Sequence, residues 1–177
     1  MQNRRFLAIL LCGLLATAAL VAAQAPAPVV NGATNYCQLD PNFAAGGTTT
    51  LEAFATLKER GFKTIINLRL PTEEGANIPG EAATADTLGL KYISIPFSSA
   101  TPDVSAVDKF LLAVKDTANQ PIYIHCRSGS RVKAFWMIKR VLLDGWTTEK
   151  AIAEADSLKL TDEALRKFAL AYIEDHK

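Results

Sequence analysis

Three short β-branched runs, KTIINL (Lys63 to Leu68), YISIPF (Tyr92 to Phe97) and PIYIH (Pro121 to His125), are separated by stretches with helical apolar spacing. This alternation constrains the fold more than any other feature. Strands joined through helices run parallel, so the pattern predicts an α/β fold with a central, mostly parallel sheet flanked by helices. Thr49 to Arg60 places Leu51, Phe54, Ala55 and Leu57 on one face, opens with Thr49 and Glu52 in capping-box relation, and stops at Gly61. A short helix from Glu81 to Leu88 is closed by Gly89. The next begins at Thr101-Pro102-Asp103, with Thr101 expected as the cap and Val104, Val107, Phe110, Leu111 and Val114 turned inward. After PIYIH, helices are expected over Val132 to Leu143, Thr148 to Leu158 and Asp162 to Glu174. Cys37, in NYCQLD, is expected on a first strand.

The N-terminus lies outside that pattern. Arg4 and Arg5 precede an uncharged apolar run from Phe6 to Ala23 that ends in Val21, Ala22 and Ala23, the three-part form of a signal peptide cleaved after Ala23. An uncleaved anchor is the alternative, because the run approaches the roughly 20 apolar residues that span a bilayer. Residues 24–34 (QAPAPVVNGAT) are small, Pro-rich and uncharged and read as a flexible spacer. The folded domain is then expected over 35–177, about 140 residues, a usual single-domain size. Export to the periplasm or medium follows as an expectation, with no membrane association once the signal is removed. In that oxidising setting Cys37 could pair with Cys126 and silence it.

The whole chain carries 19 Lys+Arg against 18 Asp+Glu, and loss of Arg4 and Arg5 would leave 17 against 18. Neither balance supports a nucleic-acid partner, and 49% hydrophobic with 21% charged residues is an ordinary globular composition. His125, His176, Cys37 and Cys126 show no ligand spacing, so neither a metal nor another cofactor is expected.

The chemistry points to one turn. The strand PIYI runs into His125-Cys126-Arg127-Ser128-Gly129-Ser130-Arg131 and then directly into the helix VKAFWMIKRVLL. A thiol at a strand end, followed by a Gly-containing turn and a helix N-terminus, makes an anion site with a nucleophile at its base. Backbone N–H groups converge there and the helix dipole adds positive potential. Such a field favours the thiolate, the form that attacks. Arg131 can offer a planar fork to two oxygens of a tetrahedral anion. An inert buried thiol is the plain alternative for Cys126, and Phe135, Trp136 and Trp146 read as packing residues.

The turn resembles that of cysteine-dependent phosphatases of the tyrosine and dual-specificity type. The stretches GFKTIINLR, LGLKYISIPF and PIYIHCRSG, in that order, are similar to the small bacterial phosphatase-like domains also found attached to β-lactamase-like hydrolases. The resemblance implies Cys126 as nucleophile, Arg131 as transition-state clamp and the loop Arg127, Ser128, Gly129 and Ser130 as the phosphate cradle. Two departures accompany it. Phosphatases of this type place five residues between Cys and Arg, whereas Cys126 and Arg131 enclose four, the spacing of rhodanese-type sulfurtransferases. The general acid expected after the YISIPF strand is also missing, since the nearest positions are Ser98 and Ser99 and the nearest carboxylates Asp103 and Asp108.

Asp103 is the candidate acid, with a helix-dipole role as its competing explanation. Arg69 and Glu73 are expected as a structural ion pair beside the pocket, Arg127 as an outward side chain available to substrate, and His125 as a buried hydrogen-bonding residue. Three functions stay open on the residues: a phosphatase acting on small-molecule or phosphoprotein monoesters through a phosphocysteine, a sulfurtransferase working through a Cys126 persulfide, and a non-catalytic anion-binding or protein-binding module.

Overall fold

The computed structural model describes residues 29–177, so the expected signal peptide at 1–23 and the first part of the spacer lie outside the described residues. A five-stranded sheet is formed by β1 (Cys37–Asp40), β2 (Phe43–Gly46), β3 (Thr64–Asn67), β4 (Lys91–Ser94) and β5 (Ile122–His125), in the spatial order β1-β2-β5-β3-β4. Only the β1–β2 pairing is antiparallel. β5 sits in the middle, paired in parallel with β2 through Ile124↔Ala45 and with β3 through Ile124↔Ile66. All four of its residues are buried, as expected of a parallel strand covered on both faces.

Among the described residues, six α-helices accompany the sheet: α1 (Ala53–Glu59), α2 (Ile78–Thr87), α3 (Val104–Lys115), α4 (Ser130–Leu142), α5 (Thr148–Ser157) and α6 (Glu163–His176). One apolar cluster gathers Ile122, Ile124 and Cys126 with Val107 and Phe110 of α3, Phe135 and Trp136 of α4, and Ile173 of α6. The other gathers Tyr123 with Phe54 and Leu57 of α1 and Ala85 of α2. Strand alternation thus sends Cys126 and His125 to opposite faces: His125 stacks on Tyr123 at a centroid distance of 5.8 Å, while Cys126 joins the α3 to α6 side.

Several boundaries depart from expectation. Thr49 does not cap α1; its hydroxyl bonds Gly47 O and the Tyr123 hydroxyl, and Glu52 occupies the cap position without a side-chain bond. Asp103, not Thr101, caps α3, its carboxylate accepting from Ser105 N at 2.9 Å. The packed structure also starts before Asn35: Val30 is buried, and Ala33 bridges Thr49. Val30, read with its Pro-rich neighbours as spacer, joins the α1-side core instead, while Val29 stays exposed. β2 was not anticipated, because FAAG is too short and too poor in β-branched residues to signal a strand.

The β1-β2-β5 order also separates the two thiols. Cys37 pairs with Ala45 of β2, which pairs with Ile124 of β5, so two inter-strand spacings, roughly 10 Å, lie between the strands bearing Cys37 and Cys126. A disulfide needs Cα atoms within about 7 Å. Both cysteines are free in this structure, and the packed sheet does not permit the pairing considered from the sequence.

Candidate active site

The carboxyl ends of β3, β4 and β5 open onto one edge of the sheet, where the loop 126–131 leads into α4. Gly129 holds φ +91°, a left-handed conformation that glycine adopts without strain, and caps the helix. Two loop carbonyls are fixed outward by a segment that sequence reading did not connect to the site. Arg127 O accepts from Thr48 N at 2.9 Å and from the Thr48 hydroxyl at 3.1 Å; Ser128 O accepts from Asn35 Nδ2 at 3.1 Å. In a planar trans peptide the following N–H points opposite to the C=O. The outward carbonyls of Arg127 and Ser128 therefore turn the N–H groups of Ser128 and Gly129 inward, and Gly129 N donates to Cys126 Sγ at 3.1 Å. Gly47 lets this anchoring strap approach, because a Cβ there would sit 2.9 Å from Arg127 O. The Gly46-Gly47-Thr48 run was the available sequence signal.

Cys126 is fully buried. The adjoining concavity of about 260 Å³ is lined not by Cys126 itself but by its loop neighbours Arg127, Ser128, Ser130 and Arg131, by Leu70 and Glu73 after β3, by Phe97 to Ala100 after β4, and by Asp162 and Leu165 at the start of α6. Its size suits a small anionic group. The first turn of α4 opens at the same end, where negative charge is favoured; the Ser130 N–H there donates to the Ser128 hydroxyl at 3.4 Å.

Arg131 reaches across this edge as a staple. Its Nη1 donates to Leu68 O and Phe97 O, each at 2.9 Å, and to Glu73 Oε1 at 2.5 Å; Nη2 donates to Glu73 Oε2 at 2.8 Å. The guanidinium therefore ties the ends of β3 and β4 to the cysteine loop. Burial works against its charge, but Glu73 and the neighbouring Cys126 more than offset that and raise its pKa. Glu73 shows the converse balance. Burial opposes its ionisation, while Arg131, the Leu70 N–H and Arg69 hold its carboxyl below the usual 4.5. The expected Arg69–Glu73 pair is present at 3.5 Å, yet the main partner of Glu73 is Arg131, which the sequence did not reveal. Arg69 is buried and donates to Gly75 O and Glu74 O, which fixes the loop that carries Glu73.

Asp103 is placed differently from its candidate role. Both its oxygens serve the head of α3, Oδ1 from Ser105 N and Oδ2 from the Ser105 hydroxyl at 2.7 Å, and those bonds hold its pKa below the ordinary value. It does not line the concavity. Asp108 is bonded by the Tyr172 hydroxyl. Of the loop residues singled out, Arg127, Ser128, Ser130 and Arg131 line the concavity, and Gly129 contacts the sulfur.

Beneath the loop, on the other face of the sheet, His125 Nε2 lies 3.3 Å from Glu81 Oε2, yet neither ring nitrogen makes the hydrogen bond expected of it; Glu81 Oε2 accepts from Asn67 Nδ2 and the Tyr92 hydroxyl, each at 2.7 Å. Asn67 Oδ1 in turn accepts from Arg69 N. Burial disfavours the Glu81 carboxylate, but His125, Tyr92 and Asn67 outweigh it and lower its pKa below 4.5. A carboxyl with a depressed folded-state pKa contributes stability above its unfolded pKa and loses it as pH falls through the folded value. Glu81→Gln is therefore expected to cost about 1–3 kcal/mol at neutral pH. The gap from wild type should close as the pH drops below 4.5, measured by urea unfolding at several pH values. A pH-independent difference would remove the carboxylate as the cause.

Residues 27–167 match the family described as DSP-PTPase phosphatase fused to NAD+ kinase. A beta-lactamase hydrolase-like protein of Xylella fastidiosa is 29% identical over 107 residues, covering 59% of this chain and 24% of that protein. This chain thus matches about a quarter of the length of that curated relative. Among solved structures, the core catalytic domain of the PP-IP phosphatase SIW14 from S. cerevisiae superposes with a TM-score of 0.67 at 24% identity, covering 84% of this chain and 89% of that one. A DUF442 protein from Shewanella putrefaciens CN-32 gives 0.69 at 22%, covering 82% and 90%. At these identities the two structures share the fold.

Proposed function

Because the chain belongs to the family of dual-specificity-type phosphatase domains described as fused to NAD+ kinase, we propose that it hydrolyses phosphate monoesters through a covalent phosphocysteine at Cys126. The observation that carries this reading is the 3.1 Å bond from Gly129 N to Cys126 Sγ, set beneath a loop whose carbonyls are tied outward. The sulfur attacks phosphorus and the alcohol leaves. The inward N–H groups and the N–H bonds of Arg131 not used by Glu73, Leu68 and Phe97 meet the charge on the non-bridging oxygens. Water then attacks the phosphocysteine and releases inorganic phosphate. His125 takes no direct part, because it lies on the far face of the sheet. The substrate is a small molecule or a phosphoprotein segment that presents its phosphate into the concavity, with exposed Arg127 at the rim.

Sulfur transfer through a Cys126 persulfide is the second reading, favoured by the four-residue spacing between Cys126 and Arg131. One assay separates the two. Under reducing conditions p-nitrophenyl phosphate should be turned over, while thiosulfate with cyanide should yield no thiocyanate. No phosphate release from about pH 5 to 8 with the thiol demonstrably reduced would remove the phosphatase reading. Thiocyanate formation would transfer the function to the persulfide route.

A further inference from the structure

The site described so far lacks a group that handles protons, and the structure places one where the sequence reading saw only a helix start. We infer that Asp162 is the proton-transfer residue of the cavity, protonating the leaving oxygen and then accepting a proton from the attacking water. The inference rests on the phosphatase reading and assigns it a catalytic carboxylate that comes from the α5–α6 connection instead of the loop after β4.

Among the described residues lining the concavity, the carboxylates are Glu73 and Asp162. Glu73 is unavailable, because both its oxygens are bonded by Arg131. Asp103 lies outside the lining and has both oxygens committed to Ser105. Asp162 differs from each. Its Oδ1 accepts from Leu165 N at 3.0 Å and caps α6, while Oδ2 has no hydrogen-bond partner among the described residues. The capping bond fixes the carboxylate without consuming it. Leu160 and Leu165, both buried, hold the connection on either side. α6 packs along α4, the helix that the cysteine loop opens, so Asp162 is positioned by the same element that positions Cys126.

The two steps balance. In the first, the thiolate and the ester dianion react with protonated Asp162 to give the phosphocysteine dianion, the neutral alcohol and the Asp162 carboxylate. In the second, the carboxylate takes a proton from water as its oxygen bonds phosphorus and the S–P bond breaks, leaving thiolate, hydrogen phosphate dianion and protonated Asp162.

Asp162→Asn separates proton transfer from structure, because Asn caps helices as well as Asp does. In the full chain, kcat/KM for an alkyl phosphate is expected to fall about 100-fold. For p-nitrophenyl phosphate, whose leaving group needs little protonation, it should fall less than about 3-fold. The pH limb of kcat/KM assigned to the acid should also disappear. Equal losses on both esters, no loss on either, or the same pattern produced by Asp103→Asn would overturn this inference and leave the phosphatase reading standing. Absence of wild-type turnover on both esters would overturn the two together.

Discussion

Cys126→Ser is expected to lower phosphate-ester turnover by about 1,000-fold or more while leaving the protein folded, the scale seen when a covalent nucleophile is removed. The size of the loss follows from where the strand places its neighbours. A hydroxyl is a poor nucleophile unless a base removes its proton, and the adjacent histidine is the usual source of one. Here His125 is adjacent in sequence only. Its ring stacks on Tyr123 and faces Glu81 across the opposite side of the sheet. A serine at position 126 would therefore sit among the loop N–H groups with nothing to activate it. The fold should tolerate the change, since Gly129 N–H can donate to the new oxygen as it does to the sulfur. Steady-state assay and thermal unfolding of the two proteins check both parts. Retained turnover by the folded variant would sink the covalent mechanism.

Arg131→Ala should be damaging twice over. Removing the guanidinium takes a donor from the Leu68 and Phe97 carbonyls and from both Glu73 oxygens, leaving Leu68 O with the Phe97 N–H and Glu73 Oε1 with the Leu70 N–H. Breaking a wholly buried pair costs about 3–5 kcal/mol. With Glu73 retaining some solvent contact and its Arg69 neighbour, about 2–3 kcal/mol is expected here. Turnover should fall a further 100- to 1,000-fold, roughly the effect of deleting one donor to a transition-state anion. Comparing the variant at low temperature, where it is still folded, with Glu73→Gln distinguishes these contributions. Glu73→Gln keeps the arginine and should lose stability with a much smaller change in turnover of the folded fraction. If the folded Arg131→Ala protein works as well as wild type, Arg131 is a staple and nothing more.

The alternation of strand and helix was legible because KTIINL, YISIPF and PIYIH are rich in β-branched and aromatic residues; β3 and β5 are buried throughout, whereas β4 lies at the sheet edge and is only partly covered. The corresponding strands β3, β4 and β5 fall within or beside those runs. β2 escaped notice because FAAG offers small residues where strand signals need branched or aromatic ones. Thr49 looked like a cap from its spacing to Glu52, but tertiary contact with Tyr123 took its hydroxyl. Asp103 looked like an acid from its position after a strand, but Ser105 claimed both its oxygens.

Within the site the division is similar. Residues 125–131 announce themselves because one short segment supplies thiol, glycine, helix start and arginine together. That Cys126 follows a central parallel strand and leads through a Gly-containing turn into a helix was legible in the sequence alone. Everything that completes the site comes from far along the chain: Thr48 and Asn35 hold the loop carbonyls outward, Glu73 grips Arg131, and Asp162 faces the concavity. These residues lie roughly 30 to 90 positions from the loop and carry no local pattern that links them to it. Only the tertiary structure could decide their roles, because hydrogen bonds and electrostatic pairing act over a few ångströms of space regardless of separation in sequence.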